Sequence, residues 1–408
     1  MQYEKNNLMN GATPLISIII PTLNRRNIVH HALNSVLAQN NQELIEIIVL
    51  DNASTDGTWD YLLRRIGAPN LRIIGNPKTL NICENWQSAL SASKGQYVLL
   101  LGDDDYLLPG WINSIIEVIN CYDSPGYIGW NHVTYIAANP LSGWSNLLNT
   151  SQSYTNQSIP ITGASLRESY LRTGKDGMLP VTPHPSLFLF ERNQINRVEN
   201  KFNTMWFDGL FPDYHAGVLA GEFDKAGVFI DRPLVCIGGV EGRYYCRCQS
   251  KMERFLGDSS ITALPEIDDS FESWSPYLAP NIARQLVYSC QKIGFDLDVD
   301  LLLTKLLPEI VENIFFCESV FGKGSHIVDL INMEDHFGSE VILPLIKDAR
   351  SKLLRNKFNS FINKTLGQRI NSRTRCFLKK NIKFITHKSI TNIQSAVHYF
   401  VKHFPASA

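Results

Sequence analysis

The chain has 408 residues, of which 44% are hydrophobic and 19% charged, and its formal net charge is −1. Its length and balance of residues are those of a globular protein with two domains, or alternatively three. No run of 18 or more apolar residues occurs in it, which excludes a predicted membrane-spanning helix.

The near-zero net charge hides a basic C-terminal stretch. From Lys347 onward there are fourteen Lys and Arg residues and one acid, Asp348, so the rest of the chain carries about −14. The basic side chains alternate there with apolar ones such as Leu353 and Phe358, a pattern typical of an amphipathic surface on anionic lipid. We therefore expect an anionic membrane surface as a partner and no nucleic acid. A solvated helical face is the alternative.

The cysteines and the N-terminal residues indicate the cellular compartment of the protein. Only Cys246 and Cys248 lie close together among the eight cysteines, and no spacing suggests a zinc site. Free thiols are therefore expected. Residues 1–14 are polar and lack the apolar core of a secretory signal. We expect a cytoplasmic protein that is peripheral on the inner face of the cell membrane.

Strand-like and helix-like segments alternate from residue 16 to residue 121. Short apolar runs predict strands at residues 16–20, 45–50, 71–75 and 97–101. Apolar residues at helical spacing predict helices at residues 27–39, 58–65, 82–93 and 111–121. Short connections between them favour a parallel α/β sheet, in which ligands bind at the carboxyl ends of the strands.

Three polar turns fall at this edge of the sheet, at residues 21–25, 51–56 and 102–105. The last contains Asp103, Asp104 and Asp105, directly after a strand that we expect to be buried on both faces. Three adjacent carboxylates repel one another, and Mg²⁺ or Mn²⁺ shared with substrate phosphates would balance their charge. The alternative is a solvated acidic turn that caps the helix beginning near Pro109.

The pattern loosens after residue 121. We predict strands at residues 127–136, 186–190, 227–230 and 234–237, and a helix at residues 213–219. Residues 139–161 are rich in Asn, Ser and Gly and predict a long irregular segment that could act as a mobile lid. Helical periodicity recurs at residues 282–293, 300–321 and 341–361. The predicted organisation is an N-terminal extension (1–13), an α/β domain (14–255) and a helical C-terminal domain with the basic tail (256–408).

The strand ends carry a resemblance to a known family. Residues 17–24, 49–58 and 95–105, followed by Pro109, resemble the family 2 glycosyltransferases in order and spacing. Residues 81–86 together with residues 101–105 look like the branch that builds bacterial surface polysaccharides, including deoxysugar transferases of O-antigen synthesis. The resemblance covers residues 14–125 well and residues 126–250 loosely.

This resemblance implies a GT-A fold, a Rossmann-like mixed sheet, and an inverting enzyme. Such an enzyme moves a sugar from a nucleotide-diphosphate donor to an acceptor hydroxyl, here on a lipid-linked or growing saccharide. The resemblance further implies that Asp51 hydrogen-bonds the base. It implies that the turn with Pro21, Thr22 and Asn24 holds base and ribose. Asn81 begins a helix near the base pocket, and a helix cap is its alternative role.

The resemblance also implies roles for the residues of the acidic turn. It implies that Asp103 faces the ribose or the metal and that Asp104 ligates Mg²⁺ or Mn²⁺. Gly102 stands where many members carry an Asp, so the implied metal site has one carboxylate fewer. Residues 238–251 contain no His, although some relatives supply a metal-binding His there.

The acceptor side is predicted from the second half of the domain. Asp213 resembles the family's general base at the start of a helix, and helix capping beside Pro212 is the alternative. His184, between two prolines, is a candidate acceptor contact or a structural histidine. Tyr244 and Arg247 belong to a basic aromatic loop that could close over the diphosphate on the acceptor side, with a solvated loop as the alternative.

Three other functions compete with a glycosyltransferase. A catalytically silent nucleotide-sugar or saccharide binding subunit of a polysaccharide assembly complex is compatible with Gly102 in the acidic turn. A nucleotidyltransferase usually has a Gly-rich phosphate loop after its first strand, and residues 21–26 contain no glycine. A dinucleotide oxidoreductase is disfavoured because no GxGxxG motif follows that strand.

Overall fold

The structure is a computed structural model that describes residues 3–6, 13–68, 70–137, 147–150, 154–171, 184–239, 278–299, 301–308, 310–311, 338–349, 351, 384–385 and 392–403. Its strands are β1 (Tyr3–Asn6), β2 (Ile16–Thr22), β3 (Ile45–Asp51), β4 (Leu71–Gly75), β5 (Tyr97–Leu100), β6 (Tyr106–Leu107), β7 (Tyr127–Ile136), β8 (Leu147–Asn149), β9 (Ser158–Ile161), β10 (Phe188–Glu191), β11 (Gly227–Gly239) and β12 (Phe384–Ile385). Its helices are α1 (Val29–Leu37), α2 (Thr58–Leu63), α3 (Ile82–Ala92), α4 (Trp111–Cys121), α5 (Gly163–Leu171), α6 (Arg192–Phe202), α7 (Pro212–Leu219), α8 (Leu278–Lys292) and the C-terminal helix (Ile393–His403).

The strands form one mixed sheet in the order β1-β4-β3-β2-β5-β10-β7-β11-β6. Strands β4, β3, β2 and β5 are mutually parallel, as the alternating pattern predicted. Strand β10 lies antiparallel between β5 and β7, and β7 and β11 run parallel. The expectation of an α/β Rossmann-like mixed sheet is therefore confirmed.

The parallel strands are buried along their whole length. Every residue of β2, β3, β4 and β5 is buried, which explains why their sequences are mostly apolar rather than alternating. The buried charges Glu46 and Arg72 form an ion pair with each other at 3.3 Å. Strand β2 continues two residues past its predicted end, and Pro21 and Thr22 pair with Leu50 and Asp51. Neither residue therefore belongs to the polar turn in which the sequence had placed it.

The region after α4 is more regular than its composition suggested. The segment predicted as irregular at residues 139–161 contains β8 and β9, and β9 pairs antiparallel with β11. Asp231 fastens the residues before β9, because its carboxylate accepts hydrogen bonds from Thr155 N at 2.9 Å and from Thr155 Oγ1 at 2.6 Å. The expectation of irregular structure is therefore wrong for residues 147–149 and 158–161, while residues 139–146 and 151–153 lie outside the described residues. The two strands predicted at residues 227–237 are one strand, β11, with register shifts around Pro233.

The C-terminal helices share the core of the sheet. Ile282, Leu286 and Cys290 of α8 belong to the same buried cluster as the β2 and β5 side chains, and so do Leu302 and Leu306. The C-terminal helix packs against a smaller cluster beside β6, β7 and β11. The domain boundary predicted near residue 255 lies outside the described residues.

No helix in the described parts of the chain combines the length and apolar character that a bilayer crossing requires. Of the basic tail, the structure describes Lys347, which is exposed on a helical segment at residues 339–349. Most of the other basic residues of that tail lie outside the described residues.

Candidate functional site

The three polar strand ends predicted from the sequence meet at one edge of the sheet. Thr22 at the end of β2 pairs with Asp51 at the end of β3. Thr22 Oγ1 also donates a 2.8 Å hydrogen bond to Asp103 Oδ2, across 81 residues of sequence. Parallel strands bring their carboxyl ends together, so this convergence follows from the fold class.

The first two loops at this edge are hydrogen-bonded to each other. Asn24 has the left-handed backbone conformation (φ +51°). Its side-chain Oδ1 accepts the N–H of Thr55 at 2.7 Å, and its own N–H is donated to Ser54 Oγ at 2.8 Å. Asn24 thus holds the loop after β3 against the loop after β2.

Asp51 lies at the centre of this edge and is almost fully buried. Its Oδ2 accepts the N–H of Ser54 at 3.0 Å. Its Oδ1 is also buried, yet it has no hydrogen-bond partner within the part of the chain that the structure describes. Burial raises the pKa of this carboxyl above its usual value. A buried acceptor without a partner costs free energy, which a ligand that donates a hydrogen bond would recover.

A fourth strand end at the same edge was missed by the sequence analysis. Asn76 directly follows β4 and donates its amide to Asn52 Oδ1 at 3.0 Å and to Asn85 Oδ1 at 2.9 Å. Asn52 in turn bonds both the N–H and the C=O of Leu80. The signal was available, because Asn76 follows an apolar strand just as Asp51 does. These buried amides fix the loop that leads into α3.

Asn81 begins α3 as a helix cap. Its side chain accepts the N–H of Glu84 at 2.9 Å, and the Glu84 carboxylate accepts the N–H of Asn81 at 3.3 Å. This reciprocal capping box is the structural alternative that the sequence allowed.

The three consecutive aspartates are all buried, but they face different surroundings. Asp103 faces Thr22, as described above. Asp105 is fully buried and turned into the protein, where it accepts the hydroxyl of Ser186 and the N–H of Gly238. Burial raises the pKa of the Asp105 carboxyl, while His184, whose Nδ1 lies 3.7 Å away, acts in the opposite direction. Asp105 therefore ties the start of β10 to the end of β11.

The position of Asp105 explains Gly102. A Cβ atom at residue 102 would lie 2.6 Å from Asp105 Oδ2 and 3.2 Å from Asp104 Oδ1, so a side chain has no room there. Gly102 also donates its N–H to Ser186 Oγ at 2.9 Å. The missing carboxylate at this position is a consequence of packing around Asp105.

The residues of the acidic turn fit a hard divalent cation. Asp103 and Asp104 supply carboxylate oxygens, the ligands that Mg²⁺ and Mn²⁺ prefer. The described residues contain no group of three or more His, Cys, Asp or Glu that could hold an ion by itself. A site of one or two carboxylates completed by substrate phosphates agrees with both observations.

Asp213 and His184 line one cavity. Its walls are largely aromatic and include Tyr170, Phe188, Phe190, Trp206 and Phe207. The N-cap of α7 is Phe211 and has no side-chain capping bond, so Asp213 lies in the first turn without being the cap residue. The structure therefore contradicts the alternative in which Asp213 is the N-cap of this helix. The ring Nδ1 of His184 accepts the N–H of Ser186 at 3.3 Å.

Two nearby titratable groups face away from this cavity. Asp208 accepts hydrogen bonds from Gly209 N at 2.8 Å and from Tyr288 Oη at 2.6 Å. His215 is fully buried, and its Nδ1 lies 2.9 Å from Ser289 Oγ of α8. Burial lowers the pKa of His215 to about 4, so its ring is neutral at pH 7. Tyr244 and Arg247 lie outside the described residues.

Comparison with known proteins identifies the first part of the chain. Residues 17–158 match the family model described as Glycosyl transferase family 2. The predicted resemblance to the family 2 glycosyltransferases is thereby confirmed for this segment.

Curated relatives from bacteria match about a quarter of the chain. One is the Escherichia coli UDP-Glc:alpha-D-GlcNAc-diphosphoundecaprenol beta-1,3-glucosyltransferase WfaP, 33% identical over 103 residues, which are 25% of this chain and 39% of the relative. Another is the abequosyltransferase RfbV of Salmonella typhimurium, 38% identical over 99 residues, 23% of this chain and 29% of the relative. The chain therefore spans less than two fifths of either relative. Among solved structures, Staphylococcus aureus TarS 1–349 in complex with UDP-GlcNAc is 14% identical with a TM-score of 0.46, covering 84% of this chain and 92% of the other.

Proposed function

We propose that this chain is an inverting glycosyltransferase that moves a sugar from a nucleotide-diphosphate donor to an acceptor hydroxyl during synthesis of a bacterial surface polysaccharide. The family 2 domain at residues 17–158 supports the sugar transfer. The name of WfaP, whose acceptor is a sugar on diphosphoundecaprenol, supports a bacterial lipid-linked or growing saccharide as the acceptor.

The observation that carries the proposal is the buried Oδ1 of Asp51, which lacks a partner among the described residues. An acceptor atom at that place suits an N–H of a nucleotide base. Uracil and thymine offer such an N–H at ring position 3, whereas cytosine has an acceptor there. Asp51 therefore favours UDP- and dTDP-sugars over CDP-sugars as donors.

The rest of the strand-end edge suits the other parts of the donor. Asn24 and Thr22, beside Asp51, are proposed to hold base and ribose, and Pro21 fixes the backbone before them. Asn81, also a proposed donor contact, caps α3 and follows Leu80, whose backbone bonds Asn52. Asp103 and Asp104 would hold Mg²⁺ or Mn²⁺, and the ion would stabilise negative charge on the leaving diphosphate.

Asp213 and His184, which line one small cavity, are proposed to face the acceptor. The acceptor hydroxyl must lose a proton as it attacks the sugar, and a carboxylate in hydrogen-bond reach accelerates that step. Asp213 is the residue for this role, and His184 is a contact for the acceptor. Tyr244 and Arg247 are proposed to close over the diphosphate from the same side.

A donor screen with an Asp51→Asn variant tests the proposed function. Wild-type protein with Mg²⁺ or Mn²⁺ and a lipid-diphosphate acceptor is expected to release nucleoside diphosphate from a UDP- or dTDP-sugar. In Asp51→Asn the amide oxygen would keep the Ser54 bond, and the NH₂ would then oppose the base N–H. One such mismatch costs about 1–3 kcal/mol, so affinity for UDP should fall roughly ten- to a hundredfold while affinity for CDP rises.

Calorimetry of UDP and CDP binding separates the two parts of this prediction. If the wild type binds UDP but releases nucleoside diphosphate from none of the donors, the chain is a binding subunit and the proposal of an enzyme is contradicted. An equal loss of UDP and CDP affinity in the variant would contradict base recognition by Asp51. The comparison variant is Ser54→Ala, which removes the hydroxyl that accepts the Asn24 N–H but keeps the backbone N–H bonded to Asp51, and it should change UDP and CDP affinity alike.

We also propose that the basic tail attaches the protein to the inner face of the membrane. The support is its sequence, with basic residues such as Lys379, Lys380 and Lys383 interleaved with apolar ones. Each basic residue near an anionic bilayer contributes about 1 kcal/mol. Replacing these three lysines by glutamine should therefore weaken co-sedimentation with anionic vesicles on the order of a hundredfold. Equal binding of the wild type to neutral and anionic vesicles would contradict the proposal.

A further inference from the structure

The turn that leads into α7 is held by a side chain from outside the family 2 segment. Phe211 donates its backbone N–H to Gln285 Oε1 at 3.0 Å. The Gln285 amide nitrogen lies 3.4 Å from the carbonyl oxygen of Asp208 and donates to Ser289 Oγ at 3.0 Å. Gln285 is on α8 and fully buried. A single amide group thus bonds both ends of the turn from Asp208 to Phe211.

The fit between this turn and Gln285 is close. Gly209 has a φ of +84°, and a Cβ atom there would lie 2.2 Å from Gln285 Oε1. The amide therefore occupies the space that any other residue at position 209 would need. On the other side of the turn, the carbonyl of Gly209 accepts the thiol of Cys83 at 3.0 Å.

Helix α8 contacts α7 again on the far side of Asp213. His215, two residues after Asp213, faces Ser289 with 2.9 Å between its Nδ1 and the Ser289 Oγ. Ser289 itself bonds both the side chain and the backbone carbonyl of Gln285. The hydrogen bonds at Phe211 and at His215 flank Asp213 in sequence, and both lead to the same pair of residues on α8.

We infer that Gln285 is a positioning residue that sets where α7 presents Asp213 to the acceptor. The inference rests on the proposed function, in which Asp213 takes the acceptor proton. A side chain at position 285 must accept from Phe211 N and donate toward Asp208 O at once, and an amide does both. A displacement of about 1 Å in a reacting group can cost roughly a hundredfold in rate. A residue of the helical C-terminal region thereby sets the geometry of the helix that carries the proposed base.

The test compares Gln285→Met with Leu286→Ala, its neighbour in the core. Methionine keeps the volume of glutamine but neither hydrogen bond, and we expect kcat to fall roughly ten- to a hundredfold with donor KM within about twofold. Hydrogen exchange of the backbone amides at residues 209–215 should rise. Leu286→Ala, also fully buried, should lower the melting temperature at least as much while kcat stays within about twofold. Tyr288→Phe removes only the hydroxyl that bonds Asp208 and should give the same changes to a smaller extent, even if Gln285→Met does not fold.

Measuring hydrogen exchange together with turnover distinguishes failure of this inference from failure of the proposed function. Unchanged exchange at residues 209–215 in both Gln285→Met and Tyr288→Phe would overturn the inference, whether or not the chain is an enzyme. The inference would also be overturned if Gln285→Met raised hydrogen exchange at residues 209–215 without changing kcat, in an enzyme that Asp213→Asn inactivates. A wild type that releases no nucleoside diphosphate contradicts the proposed function, and the exchange measurement still decides whether Gln285 sets the geometry of α7.

Discussion

Replacing Asp104 by alanine is expected to lower turnover on the order of a hundredfold or more. Asp104 is buried in the turn after β5, next to the Asp103 carboxylate that Thr22 orients. The proposed ion has few other carboxylate ligands, because the described residues contain no three-ligand cluster and the nearby position 102 is a glycine. A proposed ion held by so few carboxylates depends strongly on each of them, and loss of charge stabilisation at a leaving group is costly.

The measurement is nucleoside diphosphate release as a function of Mg²⁺ or Mn²⁺ concentration. Asp105→Asn is the matched control, since Asp105 faces two protein donors, Ser186 Oγ and Gly238 N. In Asp105→Asn the amide NH₂ would face one of these two donors, so the melting temperature should fall. The metal concentration for half-maximal rate should stay unchanged. Full activity of the wild type in excess EDTA would contradict the role of Asp104.

This contrast within one acidic run marks the limit of what the sequence could predict. Continuous apolar strands followed by polar residues predict a parallel sheet and the convergence of Thr22, Asp51 and Asp103, because strand direction alone brings these ends together. The sequence treats Asp103, Asp104 and Asp105 alike. Their separate orientations depend on Ser186 and on Gly238, which are 81 and 133 residues away from Asp105 in the chain.

Buried amides were harder to foresee than carboxylates. The position of Asn76 after an apolar strand marks a strand end, but an asparagine there is also typical of a turn, so the sequence does not reveal its bonds to Asn52 and Asn85. Gln285 lies in an amphipathic helix that was predicted correctly in outline. Its role depends on the left-handed turn at Gly209, and no local pattern connects two positions 76 residues apart. Periodicity predicts which face of a helix is buried, but not which backbone groups a polar side chain will satisfy there.

Asp213→Asn is expected to have the largest effect of the acceptor-side variants, a loss of roughly a hundred- to ten-thousandfold in kcat. In an inverting transfer the base approaches from the side opposite the leaving diphosphate, so it must come from a part of the chain distant from Asp103 and Asp104. Asp213 meets this condition and lines a largely aromatic cavity with His184. Its place in the first turn of α7, near the positive end of the helix dipole, favours the ionised carboxylate.

Asparagine keeps the shape of Asp213 but cannot accept the proton, so donor KM should change little while kcat falls. The comparison variant is Asp208→Asn, whose carboxylate is already bonded to Gly209 N and Tyr288 Oη. It should lose less turnover than Asp213→Asn, through the geometry of the turn rather than through proton transfer. If Asp213→Asn keeps more than about a tenth of wild-type turnover while Asp208→Asn loses more than a hundredfold, the base is Asp208.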